Sequence, residues 1–321
     1  MKTKAGEITA LDNLPAAVRD RILPLFHVTE TLKPTFVPGL ASVWAGRPAG
    51  VDGSFNATQS GSTATVVAAI AAMRASGIRA LPCWSITDPA PYQQVCASLV
   101  DSHGAMVKTN LHSIGLAPAA VSQLGVWPSS TDLIISLGHL AGQDPQSYGG
   151  YVAHQLAGQS AVLALFRSVT LVGAAAPKDY SALSYGANVL PRTDWLIWQV
   201  ARSAVPGRLD YGDFMTGHPD LTEPPGAAMA KATVSVRYTR DNDLLVMKGY
   251  ATTGPNGQPM RQQYQAHAGV LQGSAGFSGV NSWADAQISL AAGGAPGMGS
   301  RAKWSAFSAN RHICLVVDRL P

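Results

Sequence analysis

Two aspartates, a lysine and an arginine (Asp52, Asp213, Lys108 and Arg237) stand in or beside short apolar stretches of a 321-residue chain. That set suits an anionic ligand. Lysine and arginine would neutralise it, the arginine through a planar two-pronged fork. A carboxylate between the cations would relay a proton or orient water. His27, Ser136 and Tyr211 complete the candidate ligand-binding set. The same residues also fit a buried ion network that only closes a polar barrel mouth. His27 fits a neutral core histidine with one backbone partner. At this level both readings stand.

Other chemistry finds no pattern. The chain has no GxSxG elbow, no HExxH and no CxxC, so neither a serine-hydrolase elbow nor a metal set is expected. No cofactor is expected either. Cys83 and Cys96 lie in apolar runs that would raise a thiol pKa and blunt its reactivity. Three cysteines at long spacings fit a reducing compartment.

The candidates have meaning only if strands bring them together. Seven short apolar runs (22–29, 48–55, 78–86, 105–111, 132–138, 168–175 and 208–215) alternate mostly with helical patterns. Nearly continuous apolar strands between helices describe a parallel sheet covered on both faces. No GxGxxG follows an early strand, so a TIM-like (β/α) barrel over residues 1–225 is preferred to an open doubly wound sheet. In a barrel, His27, Asp52, Lys108, Ser136, Asp213 and Arg237 would converge at the C-terminal mouth. The stretch LDYGDFMTGHPDL (209–221) is read as the last barrel strand. Asp213 and Tyr211 would point into the mouth, and Arg237 would be the countercharge.

Residues 226–321 read as an α+β appendage that completes or caps the barrel. TVSVRYT (233–239) and LLVMKGY (244–250) form a hairpin, 261–272 a helix, and the final RHICLVVDRL ends in a strand.

Charged residues are 13% of the chain, with Lys+Arg 23 against Asp+Glu 19. The excess is scattered, which does not describe a phosphate-tracking stripe. The opening segment lacks a signal-peptide core, and no apolar window spans a bilayer. A cytoplasmic protein without membrane contact is expected.

An ordered series of short motifs runs along the chain. It begins with Lys4, Gly6, Glu7, Ala10, Leu11, Pro24 and Leu25. PR..W (191–195), YGDF (211–214), RYT (237–239), KGY (248–250) and RHI (311–313) follow in order. In this the chain resembles the beta protein family of phages and bacterial genomes. The resemblance implies a barrel-like α/β fold with a C-terminal appendage and says little about chemistry. It also marks two departures. His27 stands where the family usually has a glutamate, and Ser136 where an aspartate commonly ends the strand.

Two functions follow as expectations. One is a phosphate- or nucleotide-directed hydrolase or transferase, in which Asp52 and Asp213 do acid/base work and Lys108 and Arg237 hold the anion. The other is a non-catalytic, phage- or defence-associated module that binds a protein or nucleic-acid partner.

Overall fold

The computed structural model describes residues 1–29, 32–205, 207–222, 233–277 and 281–321. They divide into two compact units. The first contains Met1–Thr3, Leu23–Ala175 and Thr193–Phe214, and the second Lys4–Ile22, Ala176–Arg192 and Met215–Pro321. The division follows three separate stretches of chain in each unit and not one boundary in chain order.

Ten strands lie in two sheets among the described residues. In the first unit β1 (Leu25–His27), β2 (Pro48–Asp52), β3 (Arg79–Ser85), β4 (Ala105–Asn110), β5 (Thr131–His139), β6 (Ser168–Ala174) and β8 (Leu209–Asp213) form one sheet. Its order is β1-β2-β3-β4-β5-β6-β8. Every pair is parallel. Helices such as Ala64–Ala75, Ala90–Ser98 and Pro145–Gly158 connect the strands. The order never reverses, so there is no switch point of the doubly wound kind.

The sheet is nevertheless open, and a closed eight-stranded barrel is not formed among the described residues. The reason lies between β6 and β8. There β7 (Gly186–Pro191) pairs antiparallel with β10 (Asp243–Ala251) in the other sheet, so one potential barrel strand is lost. The helix that follows β7 begins at Thr193.

The sheet curls all the same. The rings of His27 in β1 and Phe214, just after β8, stack with centroids 5.9 Å apart, so the two outermost strands approach at their C-terminal ends. Met1–Thr3 runs along the outer edge of β1, with His27 N donating to Met1 O (2.9 Å).

Leu81, Cys83, Met106 and Ile134 pack inside the curl, with Leu25 and Val172 against them. Gly50 leaves room for Met106, since a Cβ there would collide with its sulfur and with Leu25. At the N-terminal ends of the strands, Arg167 clamps Asp132 through Nε (2.8 Å) and Nη2 (2.6 Å).

The second unit holds β7, β10 (Asp243–Ala251) and β9 (Thr233–Thr239), in that order and antiparallel. The hairpin read from the sequence is β9–β10. Helices Met260–Gln272, Trp283–Ala292 and Arg301–Arg319 contribute to a core of Val234, Val236, Tyr238, Tyr264, Trp304 and Phe307. The C-terminal segment read as a strand is thus a helix. ICLVV is a short apolar run whose periodicity does not discriminate. What decides is upstream: Ser300 caps the helix through Lys303 N, and Trp304, Phe307 and Arg311 recur on its buried side.

Candidate active site at the C-terminal end of the parallel sheet

β2 ends in Asp52, and the chain turns at Gly53 directly into the helix Ser54–Ser60. The ladder sets His27 against Asp52, Asp52 against Cys83, and Ser85 against Lys108. Paired positions share a face of the sheet, so adjoining strands deliver these side chains to one place.

There Asp52, only 3% exposed, takes four hydrogen bonds. Its Oδ2 accepts from Lys108 Nζ (2.5 Å) and His27 Nδ1 (3.1 Å). Its Oδ1 accepts from the amide (2.9 Å) and the hydroxyl (2.6 Å) of Ser54. A carboxylate has about four lone-pair directions, and with the Ser54 hydroxyl donating to it Asp52 has used them all. Asp52 therefore orients its neighbours and has nothing left for a ligand.

A second carboxylate extends the network. Asp88 Oδ2 lies 2.6 Å from Ser54 Oγ and accepts from Ser85 N (2.6 Å). Lys108 Nζ also reaches Ser54 Oγ (3.1 Å). The Ser54 hydroxyl has one proton and so serves one carboxylate at a time. Beneath it the Tyr92 hydroxyl accepts from Gly53 N (2.7 Å) and donates to Cys83 O (3.0 Å), both inside the protein. Tyr92→Phe strands a buried amide and a buried carbonyl at the turn that aims Asp52. It is expected to cost about 1–3 kcal/mol, read as a lower urea midpoint at unchanged slope.

Charge decides the protonation states. Burial alone would raise the Asp52 pKa, but the Lys108 ammonium and the His27 hydrogen bond hold it far below the carboxylate range. For Lys108 burial works downward and Asp52 overrides it, so the amine is held above its ordinary value and stays protonated. It is no Schiff-base nucleophile at neutral pH. His27 goes the other way. Burial pushes its pKa down against the opposing pull of Asp52, so the ring is neutral at pH 7. Since Nδ1 donates to Asp52, the lone pair belongs to Nε2, which has no hydrogen bond among the described residues. Burial pushes the Cys83 thiol well up and Cys96 up to about 12, as their apolar surroundings led us to expect.

A family model described as Beta protein matches residues 1–318. The chain belongs to the Beta protein family. Comparison with curated proteins and with solved structures gives no match. No helix among the described residues is long and apolar enough to cross a membrane.

In this Beta protein family member, His27, Asp52 and Lys108 come together, while the other sequence candidates lie elsewhere. Ser136 sits in β5 opposite Asn110, outside the hydrogen-bonded cluster. Tyr211 does donate towards Asp213 (2.7 Å), and equally towards Asp194 (2.7 Å). However, the expected inward orientation fails by one residue. Gly212 takes the inward position, where a Cβ would meet Thr170 and Val172. Tyr211 and Asp213 thus face the other way, with Tyr211 edge-on to Trp195 and Trp198 of the helix Thr193–Ala201. Arg237 belongs to the second unit, where Nη1 donates to Thr216 O (3.1 Å).

Three members of the network were not anticipated: Ser54, Asp88 and Tyr92. Asp52-Gly53-Ser54 leaving a strand for a helix was the available signal. Asp88-Pro89 reads as a helix opening, and it is one, but its carboxylate also turns back to Ser85 and Ser54.

Proposed function

We propose that the C-terminal end of the seven-stranded sheet is a general-base site, and that the protein is a hydrolase or group transferase. One observation carries the reading. His27 Nδ1 and Lys108 Nζ converge on the same oxygen of Asp52, which leaves a neutral imidazole with its basic nitrogen turned away from Asp52, next to a fixed cation. His27 Nε2 takes the proton as the O–H bond of water or of an acceptor hydroxyl breaks and oxygen bonds to the electrophilic centre. The leaving group departs with that proton from the imidazolium. Lys108 balances the negative charge that develops on the attacked centre. Asp52 holds both and reacts with neither. Ser54 and Asp88 position Lys108.

The narrower, phosphate-directed reading draws less support from this cluster. Lys108 faces two carboxylates, Asp52 and, through Ser54, Asp88, so no positive charge is left over for a polyanion. An acyl centre places less demand on it.

The test is to follow the His27 ring by NMR across pH 4–8. It should titrate below the ordinary histidine value of about 6.5 with Nδ1 protonated in the neutral form. A ring that titrates at or above that value, or carries its proton on Nε2, refutes the base assignment.

A second reading, a non-catalytic module with a macromolecular partner, has its own observation. Tyr185 (57% exposed) stacks on Tyr250 (39% exposed) with centroids 4.4 Å apart, and Val189 (58% exposed) lies on the edge strand β7 of the same sheet. Isolation of the native protein with one stoichiometric partner, lost on Tyr185→Ala, would favour it.

A further inference from the structure

A guanidinium buried in a protein nearly always spends its donors, because an N–H removed from water without an acceptor loses its hydration for nothing. Arg237 breaks that rule. It projects from β9, and its Nη1 is fixed on Thr216 O (3.1 Å). Its Nε is fully buried with no hydrogen-bond partner among the described residues. Nη2, which lies on the same edge of the planar group as Nε, makes no hydrogen bond among the described residues. One edge of the fork is therefore anchored, and the other is oriented by that anchor and left without a protein acceptor among the described residues.

The surroundings share its sign. Arg237 pairs with Val246 and Ser235 with Lys248 across the β9–β10 ladder, so Arg237, Val246 and Lys248 lie on one face of the sheet. Lys248 is 8% exposed, and its ammonium is tied to two carbonyls, Ser181 O (2.8 Å) and Leu183 O (2.7 Å), beside the Tyr185 ring. Neither cation has a carboxylate within ion-pair distance among the described residues. Asp179, whose carboxyl is held down first by Ser181, feels Lys248 only as its weakest influence. Lys178, the other nearby base in the chain, is already paired with Asp220.

We propose that Arg237 anchors an oxyanion-binding site on this face of the second unit's sheet, with Nε and Nη2 gripping two oxygens of a carboxylate or a phosphoryl group. The parallel edge of a guanidinium matches the spacing of two such oxygens. Lys248 adds long-range attraction without contact. Val246, fully buried beside Arg237, keeps the surroundings apolar and so strengthens the charge-assisted pair. This site does not rest on the His27 reading and belongs to the other unit.

The full chain, labelled with nitrogen-15, is titrated at constant ionic strength with inorganic phosphate and separately with acetate. The arginine Nε–H resonance that disappears in Arg237→Lys is followed. Should that variant not fold, the resonance is assigned through the Arg237 backbone amide. A saturable shift of this resonance is expected, in the phosphate arm for a phosphoryl ligand and in the acetate arm for a carboxylate. Calorimetry should show binding about tenfold weaker in Arg237→Lys, which keeps the charge and loses the fork. An Nε–H resonance unmoved by either anion, or a folded Arg237→Lys protein that binds as well as the parent, overturns the proposal. Neither result bears on the titration of His27.

Discussion

His27→Gln is expected to lower turnover by about 10²–10⁴-fold while the protein stays folded. The substitution is chosen because a glutamine amide can still donate to Asp52, as Nδ1 does now at 3.1 Å. Only the basic Nε2 is lost. Chromogenic esters make suitable probes: p-nitrophenyl acetate for acyl transfer and p-nitrophenyl phosphate for phosphoryl transfer. Whichever the parent turns over, the fall should be in kcat. A general base acts in the transition state, whereas a residue that only binds substrate would act on KM. His27→Ala offers a further check, since added imidazole should restore part of its activity if the missing group is a proton acceptor. Undiminished turnover in both variants would end the catalytic reading and leave the cluster as a structural ion network.

The parallel sheet was legible because its strands are buried on both faces and read as unbroken apolar runs. All seven are present near their expected positions. Closure was not legible. Whether β7 joins one sheet or another depends on its partner β10, some fifty residues later in the chain, and no local signal in GANVLP records that choice. The site divides along similar lines. His27, Asp52 and Lys108 were found because each sits at or near the C-terminal end of its strand, where parallel sheets gather side chains. Asp213 was given the wrong face because alternation fixes relative orientation only. Tyr211 and Asp213 do share a side, but the glycine between them, with no side chain to declare itself, holds the interior. Ser54 and Asp88 escaped notice because a serine after a glycine and an aspartate before a proline are ordinary helix openings.

The departure at His27 takes on physical meaning in this setting. A glutamate there would place a second anion against Asp52 Oδ2, beside a single lysine. A neutral imidazole donates a hydrogen bond to that oxygen instead, so Lys108 has one fewer negative charge to offset. On the proposed reading, a histidine at this position lets the site accept a proton at Nε2, where a glutamate would set two acids beside one lysine.

Asp52→Ala should be the most destabilising change at this site, by about 3–5 kcal/mol, because it leaves Lys108 and its buried surroundings without a countercharge. Four hydrogen bonds disappear with the carboxylate, including both that fix Ser54 at the start of its helix. Lys108→Met in the same chain should recover much of the loss, since the stranded cation goes with it. Recovery beyond the sum of the two single effects is the coupling to be measured in a double-mutant cycle. The pH dependence has a definite sign. The folded-state pKa values of His27 and Asp52 both lie below their unfolded values, so the unfolded chain binds protons first as the pH falls. The stability linked to His27 is full above about pH 6.5 and drains below it, and that linked to Asp52 drains only below about pH 4. In Asp52→Ala the acid phase of the urea midpoint plotted against pH should shrink by the part linked to Asp52, leaving that of Asp144, Asp179 and Asp220. If the variant unfolds at the parent's midpoint, or keeps that acid phase intact, then the ion pair adds nothing to the fold. The Lys108 ammonium must then find its compensation at Ser54 and Asp88.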